Sequence, residues 1–150
     1  MMTLDTIMST NLITIAPEDS LAAARSLMHD NKIHHLPVVD EQGDLVGLVT
    51  LTNVLAATDS FLRDDDSRIR AKEIIIRDMM VTDVATVDEH ARLRQAALFL
   101  ERHRIGCLPI MGEGKLKGII TDTDFVAVAI NLLEQIEETE PVDEDLDEVV

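Results

Sequence analysis

Apolar residues along this chain follow two alternating rhythms. Leu21, Ala24, Leu27 and Met28 recur at the three-and-four spacing of one helical face, and Leu93, Ala96, Phe99 and Leu100 do the same. Short apolar runs follow each helix: Leu36–Val39 then Leu45–Thr50, and Cys107–Met111 then Leu116–Thr121. The segments "DEQGD" and "GEGK" separate the paired runs and carry the Gly and acidic residues that hairpin turns tolerate. A shorter run precedes each helix, Ile13–Ile15 and Ala85–Val87, and a second helix begins near Thr52 and near Thr123. Asp19 or Ser20 can cap the first helix.

The two rhythms are one rhythm twice. A shift of 72 lays Met8 on Met80, Thr14 on Thr86, Leu21 on Leu93, Ile33 on Ile105 and Pro37 on Pro109. After the turn near Gly43 the shift becomes 71, and Gly47 meets Gly118, Thr50 meets Thr121 and Thr52 meets Thr123. Matches at a nearly fixed offset define an internal duplication. The pattern predicts an α/β (α+β) fold of two pseudo-symmetric β-α-β-β-α repeats, each too small to bury much core alone and therefore packed together. The expected boundaries are 7–62 for the first repeat, 63–78 for a linker, 79–135 for the second repeat and 136–150 for an acidic, disordered tail.

Charge changes this picture mainly at the end of the chain. The net charge is −16, but residues 134–150 hold nine acids and no base, and the remaining 20 acids face 13 bases. Such a balance offers no nucleic-acid surface and no attraction to anionic lipid. No apolar run approaches the length of a membrane span, and the N-terminus lacks the features of a signal peptide. Cys107 is the single cysteine, which rules out an intramolecular disulfide and fits a cytoplasmic protein. With three Phe and no Trp or Tyr, the core must be aliphatic.

The duplicated stretches "IMSTNLITIAPEDSL" and "DMMVTDVATVDEHARL", the two "LP" strands, and the endings "GLVTLTN" and "GIITDTD" resemble a tandem pair of cystathionine-β-synthase (CBS) domains, a Bateman module. The resemblance covers about residues 7 to 135. It implies a pseudo-twofold pair that often forms a homodimer, with clefts that bind an adenosine-containing small molecule. It further implies that each cleft borrows the first-strand segment of the other repeat, so that Thr14 serves the Asp124 cleft and Thr86 the Asn53 cleft. The strand starts carrying His34 and His35, or Gly106 and Cys107, would line the cleft walls.

The residues carry an argument of their own. Thr121 and Asp124 fall at a strand exit and the first helical turn, where free N–H groups and the helix dipole suit phosphate. A carboxylate accepts two hydrogen bonds and so matches the cis hydroxyls of ribose. The same Thr-x-x-Asp spacing is also ordinary helix capping. The first repeat has Thr50 and Asn53 at these places, and an amide offers only one acceptor oxygen. Two unequal clefts are therefore expected, the Asp124 cleft being the more competent.

His34 and His35 map onto Gly106 and Cys107, so the duplicate lacks any imidazole pair. Neighbours on a strand point to opposite faces and cannot easily share a metal. One is expected half-buried at the strand edge and one in solvent, with nucleotide contact in the Asn53 cleft as the alternative. His29, His90 and His103 are expected on helices without partners, and Cys107 as a small buried hydrophobe.

The function expected from the sequence is regulatory and not enzymatic. A module without catalytic or metal-ligating residues would sense AMP, ADP, ATP or S-adenosylmethionine and signal to an unidentified partner protein. The alternative is a structural dimerisation module with empty or vestigial clefts.

Overall fold

We describe residues 3–8, 10–61 and 73–139 of a computed structural model. In the first half, helix α1 (Leu21–Asn31) opens with the Ser20 hydroxyl accepting the Ala23 N–H at 3.1 Å. Asp19 instead stabilises the preceding turn, accepting the Ala16 N–H at 3.0 Å. The helix stops at Lys32, whose left-handed φ of 54° turns the chain toward strand β1 (His35–Val39). β1 pairs antiparallel with β2 (Leu45–Thr50), Leu36 facing Val49. Asp40 holds the turn between them by accepting the N–H groups of Gln42 and Asp44 at 3.0 and 2.9 Å. Helix α2 (Leu51–Phe61) follows β2 without a gap.

The expected opening strand Ile13–Ile15 is reduced to a single parallel bridge. Ile15 donates to the Pro37 carbonyl at 3.1 Å and accepts from the Val39 N–H at 3.0 Å. The pairing stops there because Pro17 has no N–H to offer Val39, whereas its counterpart Glu89 donates to the Met111 carbonyl at 2.9 Å.

The second half repeats the plan. Strand β3 (Val87–Asp88) runs parallel to β4 (Cys107–Gly112), and β4 pairs antiparallel with β5 (Lys115–Thr121). Both hairpins bulge at the equivalent place, between Val38 and Val39 and between Ile110 and Met111. The β4–β5 turn places Glu113 and Gly114 at φ of 53° and 74°, the left-handed pair that matches strand twist in a tight hairpin. Helix α3 (Leu93–His103) ends at Arg104, left-handed at 51°, the counterpart of Lys32. Helix α4 (Asp122–Glu138) is 17 residues long against 11 for α2. It carries the chain as helix into the segment expected as a disordered tail; residues 140–150 lie outside the described residues.

Two short 3₁₀ turns bind the halves together. Leu4–Thr6 precedes the first half, yet Leu4 is fully buried among Leu93, Ala96, Leu100, Leu108, Ile110 and Ile120 of the second. Ile76–Asp78 precedes the second half, yet Ile76 is fully buried among Leu21, Leu36, Val49 and Val54 of the first. The backbone follows the same exchange. Leu4 and Asp5 donate to the Ala91 and Glu89 carbonyls, and Ile76 and Arg77 donate to those of Asp19 and Pro17. Val81 then exchanges two hydrogen bonds of 2.9 Å with Leu48 along the edge of β2. Gly47 permits that approach, since a Cβ there would stand 2.5 Å from Met80 Sδ.

The two clusters around these anchors are aliphatic, with Met28 and Cys107 among the buried residues and no buried charged group among those described. Helix α4 buries no residue, while Val126, Ile130, Leu132, Leu133 and Ile136 along it are each at least half exposed.

Candidate functional site

Thr121 and Asp124 meet at the start of α4. The Asp124 Oδ2 accepts the Thr121 N–H at 2.8 Å, and the Thr121 hydroxyl accepts the Asp124 N–H at 3.3 Å. This reciprocal capping box engages one carboxylate oxygen, and Asp124 Oδ1 has no hydrogen bond among the described residues. The side chain is partly exposed, so that oxygen is available as an acceptor.

Thr50 and Asn53 form the matching turn at the start of α2, with a different balance. Asn53 Oδ1 accepts both the Thr50 N–H at 3.2 Å and the Thr50 hydroxyl at 2.7 Å, and the Asn53 N–H donates to Thr50 Oγ1 at 3.1 Å. The single amide oxygen is thus occupied twice.

Each strand start is tied to its helix start. The Leu51 N–H donates to the His34 carbonyl at 2.8 Å, and the Asp122 N–H donates to the Gly106 carbonyl at 3.0 Å. These bonds bring His34 beside the Thr50/Asn53 turn and Gly106 beside the Thr121/Asp124 turn through the backbone.

The histidines divide as expected: His34 is exposed and His35 half-buried. Burial pushes the His35 imidazole below its ordinary value; the nearby Asp122 carboxylate pulls it up, and His34 adds to the lowering. Cys107 is buried, and that burial, with Asp122 adding to it, pushes the thiol up to about 12. It has the environment of a packing residue and not of a nucleophile.

Other placements depart from the sequence reading. His90 sits in the turn before α3 and not on a helix, 3.5 Å from Glu89. His29 lies 3.4 Å from Asp30, and the His103 ring stacks at a tilt on Phe99 with centroids 4.1 Å apart. Thr14 and Thr86 stand immediately before Ile15 and Val87, which bridge to the strands of their own repeats. Neither threonine makes a hydrogen bond to the opposite turn among the described residues.

A groove opens between the helices of each half. One of about 520 Å³ runs between α3 and α4 past Arg104, Ile105, Gly106, Asp122 and Phe125. The other, of about 430 Å³, runs between α1 and α2 past Lys32, Ile33, His34, Leu51 and Val54, which are the duplicated counterparts. Neither is lined by Asp124 or Asn53. It is the chemistry of the capping turns that marks them. Among the described residues no three His, Cys, Asp or Glu side chains are grouped to hold a metal ion, and no helix is long and apolar enough to cross a membrane.

The fold and the paired turns define a CBS domain pair, and the chain belongs to the CBS domain family: the family model matches residues 4–60 and again 76–131. Among solved structures, the Vibrio cholerae protein AcuB, an acetoin utilization protein by name, is 38% identical with a TM-score of 0.78, over 94% of this chain and 99% of that one. CBSX2, solved in complex with AMP, is 29% identical with a TM-score of 0.73, over 87% of this chain and 98% of that one. An inosine-5′-monophosphate dehydrogenase of Korarchaeum cryptofilum is 33% identical over 115 residues, 76% of this chain but only 21% of the enzyme. The likeness to that enzyme therefore covers about a fifth of its length.

Proposed function

We propose that this chain is a non-catalytic regulatory module that binds an adenosine-containing nucleotide at the Thr121/Asp124 turn and signals its presence to a partner protein. The observation that carries the reading is the unengaged Oδ1 of Asp124, held by a capping box at the N-terminus of α4. It offers a charged acceptor for a ribose hydroxyl at the positive end of the α4 dipole, which favours a phosphate nearby. The AMP bound by CBSX2, a relative of 29% identity covering nearly the same length, supports this ligand class. Gly106 and Cys107 would form one wall, with Thr14 approaching from the other repeat. The Thr50/Asn53 turn, with Thr86, His34 and His35 around it, is the weaker cleft because Asn53 spends its oxygen on Thr50.

The module acts as a homodimer. The apolar side chains left exposed along α4, with Leu55 on α2, supply the contact surface. The single buried thiol suits the cytoplasm. A second reading, a dimerisation module whose clefts stay empty, draws on the same exposed surface together with the internally satisfied Asn53.

Thermal-shift and calorimetric titration with AMP, ADP, ATP and S-adenosylmethionine test the proposal. A ligand at one hundred times its dissociation constant stabilises by about 2.7 kcal/mol, a rise of several degrees for a domain of this size. No shift with any of the four, in a protein that still dimerises, selects the second reading.

A further inference from the structure

The seam between the repeats joins two residues that the nucleotide proposal assigns to separate clefts. His35 opens β1 in the first repeat, and Gly106 immediately precedes β4 in the second. A Cβ placed on Gly106 would stand 3.1 Å from His35 Nε2 and 3.8 Å from Asp122 Oδ2. The imidazole of one repeat and the carboxylate of the other thus flank a single backbone position. Asp122 is held there by its N–H donating to the Gly106 carbonyl at 3.0 Å.

The duplication explains why this position is open. His34 and His35 correspond to Gly106 and Cys107, so the bulk of one repeat meets the small residues of the other. A histidine at 106, as in the first copy, would occupy the place of the His35 ring. The seam is complementary because the repeats have diverged.

We propose that His35 is an acid-sensitive peg across this seam: neutral, it packs against Gly106, and its protonation loosens the junction between the repeats at the start of α4. The charged and titratable groups that act on it are His34, just before its own strand, and Asp122 from α4, whose carboxylate also acts on Cys107 of β4. Glu101 and Arg104 line the groove that Gly106 and Asp122 share. Burial disfavours the imidazolium more than Asp122 favours it. The unfolded chain therefore takes up the proton more readily than the folded one. The stabilisation is complete above the ordinary imidazole value of about 6.5 and is lost as pH falls below it toward the folded value. The proposal shares His35 and Gly106 with the cleft reading but requires no nucleotide, so its test is made on the ligand-free chain.

Proton NMR of the imidazoles, assigned by difference from His35→Gln, tests it on the ligand-free full chain. The His35 midpoint should lie below about 6.5 and fall further in Asp122→Asn, which removes the favourable charge. Hydrogen exchange supplies the seam readout. Corrected for intrinsic rate, protection of the Asp122 amide should drop several-fold between pH 7 and pH 5.5 in the parent, and His35→Gln should abolish the pH dependence. A His35 midpoint at or above 6.5 overturns the proposal. So does Asp122 protection that ignores pH, or that keeps its pH dependence in His35→Gln. If His35→Gln does not fold, heteronuclear NMR on the parent supplies the assignment, and the parent and Asp122→Asn midpoints together with the parent's exchange profile decide.

Discussion

Asp124 and Asn53 occupy the same station in the two repeats but use their oxygens differently: Asp124 accepts one hydrogen bond from Thr121 and keeps a second oxygen unengaged, while Asn53 accepts two on one oxygen. The difference is one of chemistry at constant shape, and it predicts unequal binding. Asp124→Asn should weaken the best nucleotide by about tenfold or more, since a charge-assisted hydrogen bond contributes roughly 1.5–3 kcal/mol. Fold stability should barely move, because Asn caps a helix about as well as Asp. Asn53→Asp should create or strengthen binding at the first turn. Calorimetry on both variants checks this, and unchanged affinity in Asp124→Asn would leave Asp124 as a helix cap alone.

Leu4→Ala and Ile76→Ala should each cost about 2–5 kcal/mol, the range for truncating a fully buried aliphatic side chain. The loss should appear in the opposite half. Hydrogen exchange should speed up around α3 and β4 for Leu4→Ala, and around α1 and β1 for Ile76→Ala. Faster exchange confined to each residue's own half would contradict the exchanged packing.

Ile130 and Leu133 are 50% and 55% exposed on α4. A charge at such positions costs the isolated fold little, whereas at an apolar interface it must be desolvated. Ile130→Lys with Leu133→Lys should therefore give a monomer by light scattering at micromolar concentration, with unchanged circular dichroism. A dimer that survives the pair of substitutions would place the interface elsewhere.

Cys107 should resist maleimide in the folded protein. With the thiol pushed up to about 12 and the side chain 4% exposed, the reactive thiolate is scarce and covered at pH 7.5. Labelling should follow unfolding, rising with urea along the same curve as circular dichroism. Rapid labelling without denaturant would show that β4 opens locally.

Much of this architecture was legible because it is written twice. The hairpins and four helices appear within a residue or two of the periodic pattern, and the equivalence of Thr50/Asn53 with Thr121/Asp124 follows from the offset alone. The opening strand at Ile13–Ile15 was over-read: a three-residue apolar run cannot reveal that only Ile15 finds a partner. The 3₁₀ turns at Leu4–Thr6 and Ile76–Asp78 have no periodicity to detect. Their equivalence, Leu4 with Ile76 at the same shift of 72, was the available signal. The meeting of His35 with Gly106 was not legible, since nothing local encodes a distance across the seam. The substitution of Gly106 for His34 was a hint of it that only the fold could interpret.

The exchanged anchors also set an order of events during synthesis. When residue 61 ends α2, the first half still lacks Ile76, which fills its core, while Leu4 waits for a second half that does not yet exist. At ribosomal rates of about 5–20 residues per second, the Ile76 slot stays open for roughly 1–3 s, and Leu4 stays uncovered several times longer, until its partners out to Ile120 are made. Closure of the first half and translation of the second repeat's leading segment are therefore one event, and a ribosome stalled between residues 61 and 76 holds a chain that chaperones can recognise.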